Sequence, residues 1–213
     1  MKPLFIAFVT LAVLCVEMTL AQNVSVNGNF QAFGSARLVA GGVPPDTMAL
    51  DLTSNCGAQA YSNTCYNNAP FTYSGVDFHF GHRPPLSKIT TLSTDYNYGG
   101  ADCGGGAPRL VISTTGSDNF EGYLGPPPEF TNCYYGWLNT GNLTTDSSTR
   151  WVVDNGNTLM TWSQLVASYG TDTLTDIEIV VDSGWITPRG QDITIDNFTV
   201  DNKVMQASNT VSH

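Results

Sequence analysis

Three acidic residues, spaced so that they share one face of a strand, are the strongest chemical feature of this sequence. Asp176, Glu178 and Asp182 lie in the run 174–182, in which apolar and polar residues largely alternate. In a strand, residues i, i+2 and i+6 point to one face, and same-face neighbours lie roughly 6.5–7 Å apart. Flexible side chains could therefore bring two carboxyl groups to about 5 Å, the separation used by retaining glycosidases. The alternative is a solvated strand face on which the acids stay apart and catalyse nothing.

Aromatic residues close to short polar residues form a second group, and this combination favours carbohydrate binding. The apolar C–H faces of sugar rings stack on aromatic planes, while Asp and Asn side chains bind the hydroxyl groups. Tyr96 and Tyr98 lie in a predicted loop rich in Gly, Asp and Asn, and three more aromatic residues follow Cys133 closely. We predict that these five residues contact a glycan: Tyr96, Tyr98, Tyr134, Tyr135 and Trp137. Tyrosine and tryptophan are also partly exposed for ordinary reasons, so the alternative is that they pack without a ligand.

Metal binding has weaker support. Asp46 and Asp196 are weak candidates for ligands of a structural calcium ion, because calcium prefers hard oxygen donors. His79 and His82, with Asp77 beside them, supply ligand types found in catalytic metal sites, but their spacing matches no established motif. We therefore predict no cofactor, with structural calcium as the alternative.

The charge balance excludes one class of partner. Of the 213 residues only 12% are charged, and 18 acids against 8 bases give a formal net charge of -10. A nucleic-acid-binding face needs a basic stripe, so we predict no nucleic-acid partner. Hydrophobic residues make up 41% of the chain, enough for a packed core.

The first residues are typical of a secretory signal peptide. Lys2 provides the positive start, residues 4–16 form a short apolar run, and Ala21 suits signal-peptidase cleavage. A membrane anchor is the alternative, but it needs about 20 apolar residues, and Glu17 interrupts this run. We predict a signal peptide over 1–21, a single extracellular domain over 22–213, and no membrane span. The oligomeric state is left open.

In a secreted protein, cysteines can form disulfides and N-x-[ST] motifs can be glycosylated. Four cysteines remain after cleavage, and we predict nearest-neighbour disulfides: Cys56–Cys65 and Cys103–Cys133. Four cysteines allow three pairings, so the other two stay open. A zinc site is disfavoured because the sequence has no C-x-x-C spacing.

Three asparagines fit the N-x-[ST] motif: Asn142 in a polar loop, Asn197 in a predicted strand, and Asn23 near the new N-terminus.

Short β-favouring runs separated by Gly, Asn, Pro, Ser and Thr dominate the mature chain. We predict strands over 37–40, 49–53, 71–80, 89–93, 109–114, 150–153, 174–182 and 193–200. Thr161 and Gln164 fit a capping box, which predicts one short helix ending near Gly170. The fold class that follows is all-β: an antiparallel β-sandwich, jelly-roll-like, with about one short helix and stapled by disulfides.

Two segments resemble known proteins. The closing run 193–200, ITIDNFTV, resembles the final strand of jelly-roll carbohydrate-binding modules, where an "IDN" segment recurs. The segment 103–109, CGGGAPR, is similar to one in small secreted β-sandwich proteins of fungi and filamentous bacteria, which have no assigned activity. The first resemblance implies glycan binding, whereas the second implies no chemistry.

These observations leave three functions in competition. The leading hypothesis is a secreted, non-catalytic protein that binds glycans or a cell-wall surface. The second is a secreted polysaccharide-degrading enzyme that uses a carboxylate pair. The third is an extracellular structural or effector protein that binds another protein.

Overall fold

Short strands with alternating burial make up most of the part of the chain that the structure describes. The computed structural model describes residues 26–54, 73–98, 108–116, 119–123, 136–153, 158–182 and 191–207. The strands in these ranges are β1 (Phe30–Gly34), β2 (Arg37–Ala40), β3 (Met48–Ser54), β4 (Tyr73–His79), β5 (Leu92–Tyr98), β6 (Arg109–Thr114), β7 (Asn119–Tyr123), β8 (Leu138–Asn139), β9 (Trp151–Val153), β10 (Thr158–Met160), β11 (Leu174–Asp182), β12 (Gln191–Val200) and β13 (Lys203–Val204). They are joined by one 3-10 turn, Leu86–Lys88, and one helix, α1, Trp162–Tyr169.

The strands form two antiparallel sheets. The larger sheet has seven strands in the order β1-β4-β11-β6-β7-β9-β10. The smaller sheet has the order β2-β3-β12-β5-β8, and β13 pairs with β12. The prediction of an all-β, antiparallel sandwich with one short helix is confirmed. The four cysteines lie outside the described residues, so the disulfides stay a prediction.

The core lies between the two sheets. Alternate residues of each central strand are fully buried, such as Ile177 and Ile179 in β11 and Ile193 and Ile195 in β12. Because the side chains of a strand alternate between faces, the residues between them point outward and are free to be polar. The alternation of apolar and polar residues along each strand therefore determines which side chains reach solvent.

The helix closes one end of the sandwich. The Thr161 hydroxyl accepts a hydrogen bond from the Gln164 amide, and the Gln164 side chain accepts one from the Thr161 amide, as the capping box predicts. Trp162 and Leu165 then face the core, and the Trp162 ring lies 5.2 Å from the ring of Trp151.

A bulge interrupts β12 where the "IDN" segment lies. The register against β5 shifts between Asp196 and Thr199, and Asn197 has a φ of 50°. The fully buried Asp196 carboxylate accepts hydrogen bonds from the amides of Asn197 and Val43. These bonds hold the loop after β2 against the outer side of the smaller sheet.

The two ends of the described domain lie side by side. Val26 and Ala207 form an isolated antiparallel bridge. Asn27 strengthens it, because its Nδ2 donates to the Val204 carbonyl at 2.9 Å and its Oδ1 accepts from the Gln206 amide at 2.8 Å.

Two expectations about the elements need correction. Tyr96 and Tyr98 lie in β5 and not on a loop. The predicted strand 89–93 begins only at Leu92, because Leu86–Lys88 form a 3-10 turn that packs Leu86 and then Ile89 into the core.

Within the described ranges, none of the helices is long and apolar enough to cross a membrane.

Candidate functional site

The outward face of the larger sheet carries a row of polar side chains. In β11, Ile177 and Ile179 are buried towards the core, so Asp176 and Glu178 point to the opposite side. Strand register aligns Glu178 with residues from four other strands: Gln31, Asp77, Val111 and Glu121. We call the set Gln31, Asp77, Glu178, Val111 and Glu121 the acidic row.

Glu178 and Asp77 form a pair of half-buried carboxyl groups at the centre of this row. Burial, a hydrogen bond with Asp77 and the negative charge of Asp77 raise the pKa of Glu178 to about 7. Burial also raises the pKa of Asp77, while its hydrogen bond with Glu178 and the nearby His79 act in the opposite direction. The pair therefore keeps a proton up to near-neutral pH.

His79 stands two residues from Asp77 on the same face. Its Nδ1 lies 3.1 Å from Oδ1 of Asp176, and its Nε2 lies 3.2 Å from Oε1 of Gln31. These two contacts orient the imidazole on the outward face. His82 lies beyond the end of β4 and is exposed.

Arg109 contributes a positive charge beside the acidic row. Its Nε lies 3.7 Å from Oε1 of Glu121. The positive charge of Arg109 also lowers the pKa of Glu178, against the larger effect of burial. Arginine and the carboxyl groups together offer donors and acceptors to a polar ligand on this face.

Two aromatic rings lie next to the acidic row. The Phe33 and Tyr73 rings are 5.7 Å apart, and Tyr73 is 57% exposed. Phe33 is paired with Gly75, whose missing side chain leaves room for the Phe33 ring. Phe33, opposite Gly75, lies roughly 7 Å along the strand from the acidic row, and Tyr73, four residues from Asp77 in β4, lies roughly 13 Å from it. We call Phe33 and Tyr73 the aromatic platform.

The acidic strand of the sequence is thus only part of this arrangement. Asp176 and Glu178 share the outward face, as expected. Asp182 is paired with Tyr73 in the register of β11 and β4, and its side chain lies outside the described part. The partner of Glu178 is Asp77 on another strand. The alternation of apolar and polar residues in 76–80 indicated that Asp77 points outward. No local pattern in the sequence indicated that β4 pairs with β11.

The aromatic residues predicted to bind glycans are separated by the fold. Tyr96 and Tyr98 are 6% and 4% exposed and pack in the core, which offers neither ring to a ligand. Burial raises the pKa of both tyrosines. Tyr134 and Tyr135 lie outside the described residues. Trp137 is half-buried beside β8, and its Nε1 donates to the Gly41 carbonyl at 3.2 Å.

The residues proposed for calcium lie near the bulge of β12. Burial raises the pKa of Asp196, the hydrogen bonds from the Val43 and Asn197 amides lower it, and the charges of Asp46 and Asp95 raise it further. Within the ranges that the structure describes, His, Cys, Asp and Glu side chains form no group of three or more that could hold a metal ion. Structural calcium stays an untested prediction.

The glycosylation motifs differ in their surroundings. Asn142 Nδ2 donates to the Thr90 carbonyl at 2.9 Å, and its Oδ1 accepts from the Leu92 and Thr144 amides. Asn197 Nδ2 donates to Asp95 at 2.9 Å. Both side chains thus have structural partners, and Asn23 lies outside the described residues.

Comparison with known proteins gives only distant likenesses. No protein-family model and no curated protein sequence matches the chain. The family 11 carbohydrate-binding module of a cellulosomal cellulase of Clostridium thermocellum is similar in structure, with 12% identity, a TM-score of 0.40, and coverage of 82% of this chain and 88% of that one. The module from Clostridium thermocellum in complex with a β-1,3-1,4-mixed-linked tetrasaccharide gives 10% identity, a TM-score of 0.38, and coverage of 86% and 91%.

An exo-β-agarase structure is also similar, with 13% identity and a TM-score of 0.42. The match covers 89% of this chain but 25% of the agarase, so this chain spans about a quarter of that protein. The weak resemblance to jelly-roll carbohydrate-binding modules, expected from the closing strand, is confirmed.

Proposed function

We propose that this protein is a secreted, non-catalytic glycan-binding protein whose binding surface is the outward face of the larger sheet. The observation that supports this most is the aromatic platform next to the acidic row. Tyr73 is 57% exposed, and on the same face Asp77, four residues along β4, and its cross-strand partner Glu178 offer acceptors. A sugar ring needs these two features together, an apolar plane and adjacent hydrogen-bonding groups.

The charge of the surface restricts the ligand. Asp77, Asp176, Glu178 and Glu121 are acidic, while Arg109 is the cation beside them. An anionic glycan would be repelled by this excess of carboxylates, so the proposed ligand is a neutral glycan. Hydroxyl groups would donate to the carboxylates and accept from Arg109 and from the Gln31 amide.

Titration calorimetry with neutral hexasaccharides of glucose, mannose, xylose and N-acetylglucosamine tests this proposal. We expect at least one to bind, and Tyr73→Ala to weaken that binding about tenfold or more. Leu159→Ala is the matched control, because Leu159 is 60% exposed on β10 of the same sheet, far from the platform. Absence of binding to all four sugars, or a Tyr73→Ala variant with the same affinity and the same stoichiometry as the parent protein, would contradict the proposal.

Hydrolysis of a polysaccharide is the second candidate. It is favoured by the raised pKa of Glu178, about 7, which suits a general acid at neutral pH. Asp77 lies directly opposite and would serve as the second carboxyl group. Release of reducing ends from the polymers of the same four sugars, lost in both Glu178→Gln and Asp77→Asn, would support an enzyme. Binding without any such release supports the non-catalytic protein.

A further inference from the structure

The smaller sheet presents a second row of side chains on its own outward face. Strand register aligns Arg37 of β2 with Asp51 of β3, Thr194 of β12 and Asn97 of β5. Their neighbours in sequence, such as Leu50, Ile193 and Tyr96, are buried in the core, so these four side chains point away from it. Adjacent strands lie about 4.8 Å apart, which gives the row a length of roughly 14 Å.

Trp137 extends this row at its far end. The last ladder pair between β5 and β8 is Tyr96 with Leu138, so the next position places Trp137 opposite Asn97. The Gly136 amide donates to Oδ1 of Asn97 at 2.9 Å, which ties the segment before β8 to the row. We call Arg37, Asp51, Thr194, Asn97 and Trp137 the second row.

The Trp137 indole is held in place over this face. Its Nε1 donates to the carbonyl of Gly41, in the loop after β2. That loop lies over the outward side of the smaller sheet because the Val43 amide donates to the outward carboxylate of Asp196 at 2.8 Å. The ring is half-buried and has a fixed orientation, so a ligand would lose little side-chain entropy by stacking on it.

The polar part of the second row alternates donors and acceptors. Arg37 Nε donates to Oδ2 of Asp51 at 2.6 Å, while the Arg37 side chain remains 64% exposed and the Asp51 side chain only 4%. The ion pair fixes the guanidinium at the surface. Next to it, the half-buried Thr194 hydroxyl and Asn97 carboxamide each can donate and accept.

We infer that the second row is a second glycan-binding site, so that one molecule binds two neutral polysaccharide chains, one on each sheet, and bridges them. This inference rests on the proposed function for its ligand class. The two rows lie on opposite faces of the sandwich, so both sites can be filled at once. Bridging by two sites raises the strength of attachment to a polymer network without any new contact.

The test combines stoichiometry with cross-linking, using the full chain. The same four hexasaccharides are titrated into the parent protein, Tyr73→Ala, Trp137→Ala and Thr194→Arg. Thr194→Arg places a long side chain in the middle of the second row and leaves the core unchanged. It therefore blocks the site even if Trp137→Ala disturbs the loop after β2, which Trp137 contacts through Gly41. Light scattering with the soluble polymer of each sugar measures bridging, and far-UV circular dichroism checks the fold.

We expect two binding sites in the parent protein and one in each variant. Polymer cross-linking should disappear in all three variants, while Leu159→Ala behaves as the parent. If Trp137→Ala and Thr194→Arg keep the parent stoichiometry and only Tyr73→Ala loses binding, the second site is overturned and the proposed function stands. If only the second-row variants lose binding, one site exists, and both the bridging and the platform assignment are overturned. Absence of any binding overturns both.

Discussion

Glu178 and Asp77 face each other across the β4–β11 ladder, and burial together with the hydrogen bond and the negative charge of Asp77 raises the pKa of Glu178. Directly opposed like charges destabilise a sheet. The folded state is therefore destabilised when both carboxyl groups are ionised, and this repulsion is absent while the pair keeps a proton.

The stability of the protein should depend on this pair. The folded-state pKa of Glu178, about 7, lies above its ordinary value of 4.5, so its contribution is fully present below pH 4.5 and is lost as pH rises through 7. Glu178→Gln removes the titration. We expect this variant to be more stable than the parent at pH 8 by about 1 kcal/mol, after allowance for solvent screening, or about 2–4 °C in Tm.

Thermal unfolding from pH 4 to pH 8 measures this effect, and Asp146 provides a control of opposite sign. Hydrogen bonds from Ser148 and Thr149 lower the pKa of Asp146, so its contribution is present at neutral pH and is lost on acidification. Asp146→Asn should therefore lower Tm at pH 7. If the Tm of Glu178→Gln and that of the parent change in parallel with pH, the Glu178–Asp77 pair does not destabilise the folded protein as expected.

The position of the Phe33 ring should depend on Gly75. A methyl group at Gly75 would collide with the Phe33 ring and with the backbone carbonyl of Ile179. We expect Gly75→Ala to destabilise the domain by about 1–3 kcal/mol, as overpacking does. Gly81→Ala is the control, since a methyl group there meets no atom within 4 Å. Urea unfolding compares the two, and equal midpoints would contradict the packing described.

The helix cap should contribute measurably to stability. Thr161→Ala removes the hydroxyl that accepts from the Gln164 amide, and losses of this kind cost about 1 kcal/mol. Thr161→Ser keeps the hydroxyl and should recover most of the loss. If urea unfolding finds the alanine and serine variants equally stable, the cap has no energetic role.

Asn142 should be a structural residue whether or not it carries a glycan. Its side chain bridges the Thr90 carbonyl, just before β5, and the amide of Leu92, the first residue of β5. We expect Asn142→Ala to cost about 1–3 kcal/mol, because these groups lose their partner. Expression of both proteins in a host without N-glycosylation isolates the effect. A loss seen only in glycosylated material would assign the stability to the sugar.

The disulfide prediction is tested by peptide mapping without reduction. Nearest-neighbour pairing gives two linked peptide pairs, one with Cys56 and Cys65 and one with Cys103 and Cys133. Loss of the second bridge, in a double Cys→Ser variant, should destabilise the protein by about 2–4 kcal/mol. A peptide that links Cys56 to Cys103 or to Cys133 would show that another pairing is correct.

The sequence predicted much of the fold because its signals are local. Alternation in 174–182 identified β11 and its outward acids, and Thr161 with Gln164 identified the helix start. The prediction for Tyr96 and Tyr98 was wrong because their neighbours Asp95 and Asn97 resemble loop residues, although these two side chains point outward from a strand.

The candidate site could be predicted only in part because it is built across strands. Asp77 and Glu178 are 101 positions apart, and only the pairing of β4 with β11 brings them together. Tyr73 and Phe33 meet for the same reason, through β1 and β4. Pairing between distant strands depends on the whole core, which a local pattern does not contain.

The bridge between Val26 and Ala207 has a consequence for how this domain can be attached to other chains. Its first and last described residues leave the surface at one point, so a short linker could close them into a ring. The ring could then be opened at an exposed turn, such as Thr115 and Gly116, without separating any paired strands. The same geometry allows the domain to be inserted into a surface loop of another protein as a single folded unit.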